Sequence, residues 1–326
     1  MTHKNNHLPS SELANLWKVY MIENLLIPYK LPMINTCQDE KIKSILLFAL
    51  DISKKATEKI RKVYQLESHP LPTGFTKEDV NTEAPALFTD NFYLLYIHEM
   101  GKLGFRLIPQ AVESTESKDV LDILYSIITD YKVLYERTSQ LLFEKKLFPQ
   151  SPKLPIPKAT DIINDQSYLT GWLGSKRPLN AEEILKIHST AHRNALSKAL
   201  LTGFSKVVKD PDVKKYIERG IKNTNQILGE IQQLLINENL NLTTTYDEEV
   251  LNSTISPYSD KLILVHVAQM GAGSIGIYGS DLASVFRRDI GMKYIKFISE
   301  ALLYSEDGMN LLIKKGWLEE PPKNEY

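Results

Sequence analysis

Histidines and carboxylates spread over successive helical stretches are the residues of this chain best suited to chemistry, and that chemistry would be metal binding. Glu23, Glu58, His98 and Glu136 fall one to each of four helical stretches, with Glu99 and Asp130 close by. A di-metal carboxylate bundle needs a Glu from each of two helices and a Glu-x-x-His from each of the other two, all turned inward. No Glu-x-x-His occurs anywhere in the chain. The later part offers a different set: His192, His266 and Glu306, with His188, Glu230 and Glu300. His188 and His192 are four residues apart, a spacing that can chelate a transition metal, although such pairs also arise by chance on surface helices. No cofactor is therefore expected as a requirement. Iron or manganese is the metal expected if one half alone binds any.

Other reactive-looking features have plainer explanations. Gly271-Ala-Gly-Ser-Ile-Gly276 is a literal G-x-G-x-x-G, whose glycines let a pyrophosphate approach the backbone of a βαβ unit. No second strand follows it, and small residues at Ala268, Ala272, Gly276 and Ser280 point instead to close helix–helix approach. Cys37 has no nearby histidine to activate it and reads as an incidental, buried thiol. Trp17, Tyr20, Tyr93, Tyr96 and Trp317 fit core or interface packing.

The elements that would position these residues are written twice. Residues 12–81 lie over 183–252 and residues 88–147 over 258–317, at an offset of about 170. Glu12, Asp39, Glu67 and Glu78 coincide with Glu183, Asp210, Glu238 and Glu249. Asp90, Gly101, Asp119, Glu136 and Lys145 coincide with Asp260, Gly271, Asp289, Glu306 and Lys315. The candidate ligands fare worse: Glu23 becomes Asn194, Glu58 becomes Gly229 and His98 becomes Ala268. A di-metal site common to both copies is thus not encoded.

Helical periodicity predicts four helices per copy and no strands. The first four run from Glu12 to about Asn35 behind Ser10–Ser11 as N-cap, from Asp39 to about Glu67, from Asp90, and from Lys118 to about Lys146. The second four cover roughly 181–206, 210–238, 260–283 and 288–315. Tight turns join helices one to two and three to four. A long link, Ser68–Thr89 in the first copy, joins two to three, the connectivity of a ferritin-like bundle with one crossover. The expected organisation is a first four-helix bundle over 10–150, a Pro-rich packed linker over 151–180 and a second bundle over 181–320. Within the linker, Ile162, Ile163, Tyr168, Leu169, Trp172 and Leu173 are too apolar for a solvated spacer.

Composition excludes several classes. A formal net charge of -1 argues against nucleic acid or anionic lipid as a partner. One cysteine, Cys37, allows no internal disulfide, so a reducing, cytoplasmic setting is expected. The N-terminal stretch lacks the apolar core of a secretory signal. Residues 262–280 approach the length of a membrane span, but His266, Gln269 and Ser274 interrupt them, and they read as a buried helix.

Four stretches together resemble one known family: Leu71-Pro-Thr-Gly-Phe-Thr-Lys-Glu-Asp-Val80, Gly174-Ser-Lys-Arg-Pro-Leu-Asn180, Ser253-Thr-Ile-Ser-Pro-Tyr-Ser-Asp-Lys261 and Gly316-Trp-Leu-Glu-Glu-Pro-Pro322. They are similar to domain of unknown function 3231, and the resemblance covers essentially the whole chain. It implies tandem ferritin-like repeats, an origin in endospore-forming bacteria and a distant similarity to spore coat F proteins, with no catalytic residues to carry over. The leading expectation is a non-catalytic structural or interaction protein associated with the spore, with a protein partner or a second copy as its company. A metal-binding oxidase or storage protein and a binder of small apolar ligands are the alternatives.

Overall fold

The computed structural model describes residues 8–172 and 176–324. Among them stand eight long α-helices: α1 Ser10–Thr36, α2 Glu40–Leu66, α3 Asp90–Glu113, α4 Lys118–Glu144, α5 Ala181–Val207, α6 Pro211–Asn237, α7 Asp260–Ala283 and α8 Arg288–Lys314. Corresponding helices have equal lengths, 24 residues for α3 and α7 and 27 for α1 and α5, so the repeat read from the sequence is a repeat of structure. No strand occurs among the described residues, only an isolated antiparallel bridge between Val80 and Tyr258.

The residues shared by the two copies start and brace the helices. Asp39 caps α2 by accepting from the Lys41 and Ile42 amides, and Asp210 caps α6 through Asp212 and Val213. Lys145 and Lys315 then clamp these aspartates at 2.6 and 2.5 Å, and hydrogen bonds from the lysines hold both carboxyls below their usual range. Buried Glu12 accepts from the amides of Glu116 and Ser117 at 2.9 and 2.6 Å, tying α1 to the turn between α3 and α4. Glu183 repeats this with Phe286 and Arg287 at 3.1 and 2.9 Å. The cap expected at Ser10–Ser11 is not made: α1 opens directly behind Pro9, without a side-chain cap.

The chain divides into two compact units, one of residues 1–148, 251–262 and 318–326, the other of 149–250 and 263–317. In the first unit, α1 packs on α2 and α3 on α4, with α2 against both α3 and α4. The stretch 251–262 completes this unit. Leu251 donates to the Leu87 carbonyl and Asn81 to that of Pro257, while the Tyr258 ring stacks on Tyr29 at 4.4 Å between centroids. In the second unit, α5 packs on α6 and α6 on α8.

Two expectations need correction here. Helix α7 is long and apolar enough to cross a membrane by length and composition, yet only 44% of its apolar window is buried, so it is not a buried helix throughout. Leu262–Ala268 are buried, whereas a Cβ built on Gly276 would meet nothing within 4 Å, so the small-residue row makes no close helix contact there. The packed linker is packed only in part. Arg177 lies over the Tyr168 ring at 3.9 Å, but Ile162, Ile163 and Trp172 are 80, 58 and 62% exposed. Leu173 and Gly174 lie outside the described residues.

Candidate functional site

The first unit holds a cavity of about 100 Å³ between α1, α3 and α4. Val19, Ile22, Leu103 and Ile108 give it apolar walls, Asn15, Lys18 and Gln110 a polar edge, and Glu23 and Tyr131 a polar floor. Gly104 makes room for that floor, because a Cβ there would come within 2.4 Å of the Tyr131 ring.

Glu23 is 1% exposed and fully engaged on one side. Its Oε1 accepts from the Tyr131 hydroxyl at 2.6 Å and its Oε2 from the Ser53 hydroxyl at 2.5 Å. One hydrogen bond further in, Lys30 Nζ donates to Ser53 Oγ at 2.6 Å and to the Ala49 carbonyl at 2.9 Å. Burial pulls the Lys30 ammonium down to about 8, and Glu23 offsets part of that fall. Burial, then the Glu23 charge, pushes the Tyr131 phenol far up, so it remains a hydrogen-bond donor to the carboxylate. Tyr131 thus supplies one neutral donor and Ser53 links the two opposite charges. A buried lysine satisfied in this way is what the low-dielectric interior demands of a charge it retains.

Lys30, Ser53 and Tyr131 were not singled out as site residues from the sequence. A signal for Lys30 was present: it is the lone charge in the apolar run Leu25–Ile34 and lies seven residues from Glu23, on the same helical face. Ser53 and Tyr131 arrive from α2 and α4 and gave no comparable sign.

The other candidate metal ligands are not gathered around Glu23. Glu58 is exposed and 3.7 Å from Arg61, and Glu136 is exposed and 3.4 Å from Lys132. His98 is buried, with Nδ1 3.0 Å from the Thr138 hydroxyl and its ring stacked on Tyr135. In the second unit, His192 Nδ1 is 2.9 Å from the Tyr246 hydroxyl. His266 is buried edge-on to Phe204, and burial lowers its pKa to about 4. Burial also lowers that of His188, and Glu306 is exposed. Among the described residues, no three His, Cys, Asp or Glu side chains form a group that could hold a metal ion. Cys37 is buried at the end of α1, and burial pushes its thiol up to about 12, far from the reactive range.

The second unit answers the cavity with other residues at every key position. Asn194 stands for Glu23, Leu201 for Lys30, Thr224 for Ser53 and Ala301 for Tyr131. Tyr278 replaces Ile108 and is buried, its hydroxyl accepting from Asn194 Nδ2 at 3.0 Å. Asp281 replaces Ala111 and pairs with Arg193 at 2.8 Å and Lys186 at 3.5 Å, which stand where the first unit has Ile22 and Asn15. Arg287 is fully buried and binds Glu238 at 2.5 Å and Asp289 at 2.8 Å. Burial pushes the Glu183 carboxyl up, but hydrogen bonds from Arg177 and from the Arg287 and Asn180 amides outweigh it and hold the group low.

A family model described as protein of unknown function (DUF3231) matches residues 1–159 and again residues 167–326. No curated protein matches the chain. Among solved structures, a "putative spore coat protein" from Bacillus halodurans C-125 is similar at 16% identity and a TM-score of 0.42, over 46% of this chain and 98% of that one.

Proposed function

The chain belongs to the DUF3231 family of proteins of unknown function, and from that premise we propose that it is a non-catalytic structural or interaction protein built from two ferritin-like four-helix bundles in tandem. Its proposed setting is the cytoplasm of a sporulating cell, in association with the forming spore. One observation carries the non-catalytic reading: charged groups in the interior are committed to holding the fold. Glu12 and Glu183 brace turns, Arg287 is spent on Glu238 and Asp289, and Lys30 and Glu23 satisfy each other through Ser53. Glu58 and Glu136 face solvent while Glu23 and His98 are inside, an arrangement that favours structural roles for these four residues. Fractionating sporulating cells of the source organism, with immunodetection of the chain, tests the setting. Recovery with the spore is expected, and absence from the spore together with no expression during sporulation would overturn it.

The cavity favours a second reading, in which the first bundle takes a small ligand with an apolar body and one hydrogen-bond donor. At about 100 Å³ the space approaches, though does not reach, the ~150 Å³ that accommodates benzene in an engineered core. Phenol is the simplest probe, its hydroxyl directed to Glu23. A saturable rise in melting temperature with phenol supports this reading, and no shift at millimolar phenol removes it.

A further inference from the structure

We infer that the exposed face of α7 and α8 is where two copies of this chain meet, as a two-fold homodimer. This goes beyond the proposed spore setting and does not depend on it. The two helices pack through Gly271, whose Cβ would contact Ser305 at 3.2 Å, and through Gly291, whose Cβ would contact Leu282 at 3.5 Å. One helical step outward from that seam, α8 presents Ile295, Leu302 and Met309, which are 44, 52 and 40% exposed. One step outward on the other side, α7 presents Ala272, Gly276 and Gly279, and a Cβ on either glycine would meet nothing within 4 Å. A ridge of bulky apolar side chains thus runs beside a shallow groove of small ones.

The first unit shows that the fold does not require this. At the same positions it carries Tyr125, Lys132 and Ser139 on α4, and Lys102, Arg106 and Pro109 on α3. Lys132 pairs with Glu136 and Lys102 with Glu99, as on a solvated face. In the second unit Lys293 and Lys296 of α8 reach Glu230 on α6, and of the first unit's charges on this face only Glu136 recurs, as exposed Glu306. The α7/α8 face has therefore lost the cations Lys102, Arg106 and Lys132 of its counterpart and keeps one carboxylate, Glu306.

The shape names the occupant. A two-fold rotation lays the ridge of each copy into the groove of the other, the self-complementarity an isologous contact needs. Two helices about 36 Å long and about 10 Å apart offer a face of roughly 700 Å². Stable interfaces cover about 600–1,000 Å² per partner, so the face falls in the lower part of the range a second copy would need.

The test is the solution mass of the full chain by sedimentation velocity, for wild type, for Leu302→Lys/Met309→Ser and for Gly276→Leu. The first variant installs the residues the first unit tolerates at those places. The second adds bulk in a space open in the folded chain, so it should keep the helical signal and melting temperature. Wild type is expected at twice 37.2 kDa at micromolar concentration, and both variants at 37.2 kDa. A monomeric wild type overturns the inference, as does a wild type that is monomeric but pelleted by lipid vesicles. A dimer that persists in folded Gly276→Leu overturns it too.

Discussion

Where the first unit ends a cavity on a buried glutamate, the second sets an asparagine beneath a tyrosine ring, and where the first buries a lysine, the second buries a leucine. A further pair of positions diverges in the same sense. His98 and Thr138 of the first unit become Ala268 and Gly308. The space so freed takes Tyr216, whose ring stacks on Tyr304 at 4.3 Å, each hydroxyl donating to the other residue's carbonyl at 3.1 and 3.2 Å. Gly220 and Gly308 admit the pair, since a Cβ on either would lie 2.4 Å from a tyrosine hydroxyl. One scaffold therefore supports an interior with an open cavity and one filled by tyrosine rings. The groups that differ are exchanged as sets on a shared scaffold, while those that coincide, such as Glu12 with Glu183 and Asp39 with Asp210, brace it in both units.

The largest effect should come from breaking the charge balance of the first unit. Glu23→Gln leaves the Lys30 ammonium buried without its counter-charge, which costs about 3–5 kcal/mol for a pair broken on one side. Copying the second unit, as Glu23→Asn/Lys30→Leu, removes both charges and should recover most of that loss. Urea denaturation at neutral pH measures all three proteins, followed with a probe that reports the first unit, because two units need not unfold together. A double variant no better than Glu23→Gln would show that the charges do not act as a pair.

The same pair predicts a pH dependence. The folded Lys30 releases its proton near pH 8, whereas the unfolded side chain holds it to about 10.5. Between these values the unfolded chain binds more protons, so stability contributed by this site rises with pH. Wild type should gain on the order of 2 kcal/mol relative to Glu23→Asn/Lys30→Leu from pH 7.5 to pH 10, other groups cancelling in the difference. A pH-independent difference would place the lysine proton elsewhere.

Glycines that admit tyrosines give the next effect. Gly104→Ala in the first unit and Gly308→Ala in the second each drive a methyl into an aromatic side chain held at 2.4 Å, and overpacking of this kind costs about 1–3 kcal/mol. The melting temperature of each variant checks it. A stabilised Gly104→Ala would mean that Tyr131 moves aside freely and that the cavity floor is not rigid.

The contrast between units also explains what could be read in advance. Helix limits were legible to within a residue or two at most ends because aspartates and glutamates at caps and turns recur in both copies. The candidate ligands do not share a face because they were chosen by residue type, without the helical phase. Ile52, Ala56 and Ile60 turn the core face of α2 inward, which places Glu58 on the opposite, solvated side. Lys30 was marked in the sequence only as a lone charge in an apolar run, since the partners that satisfy it, Ser53 and the Ala49 carbonyl, come from another helix. The assignment of 251–262 to the first unit left no periodic trace, for it rests on single hydrogen bonds and the Tyr258–Tyr29 stack.

The smallest effect on stability, and the sharpest test of the comparison, should come from Ile108→Tyr. This substitution places in the first unit the ring that Tyr278 provides in the second, where its hydroxyl meets Asn194. In the first unit the residue it would meet is Glu23, a better acceptor, and the cavity supplies about 100 Å³ for the added atoms. Overpacking is therefore largely avoided, and the change in unfolding free energy should stay within about 1.5 kcal/mol, as for well-tolerated core swaps. Phenol should raise the melting temperature of wild type and leave that of Ile108→Tyr unchanged. Equal shifts in both proteins would mean that phenol binds outside the cavity. A loss well beyond 1.5 kcal/mol would mean that the walls set by Leu103 and Val19 cannot accept what the second unit accepts, and that the two interiors are less interchangeable than their helices.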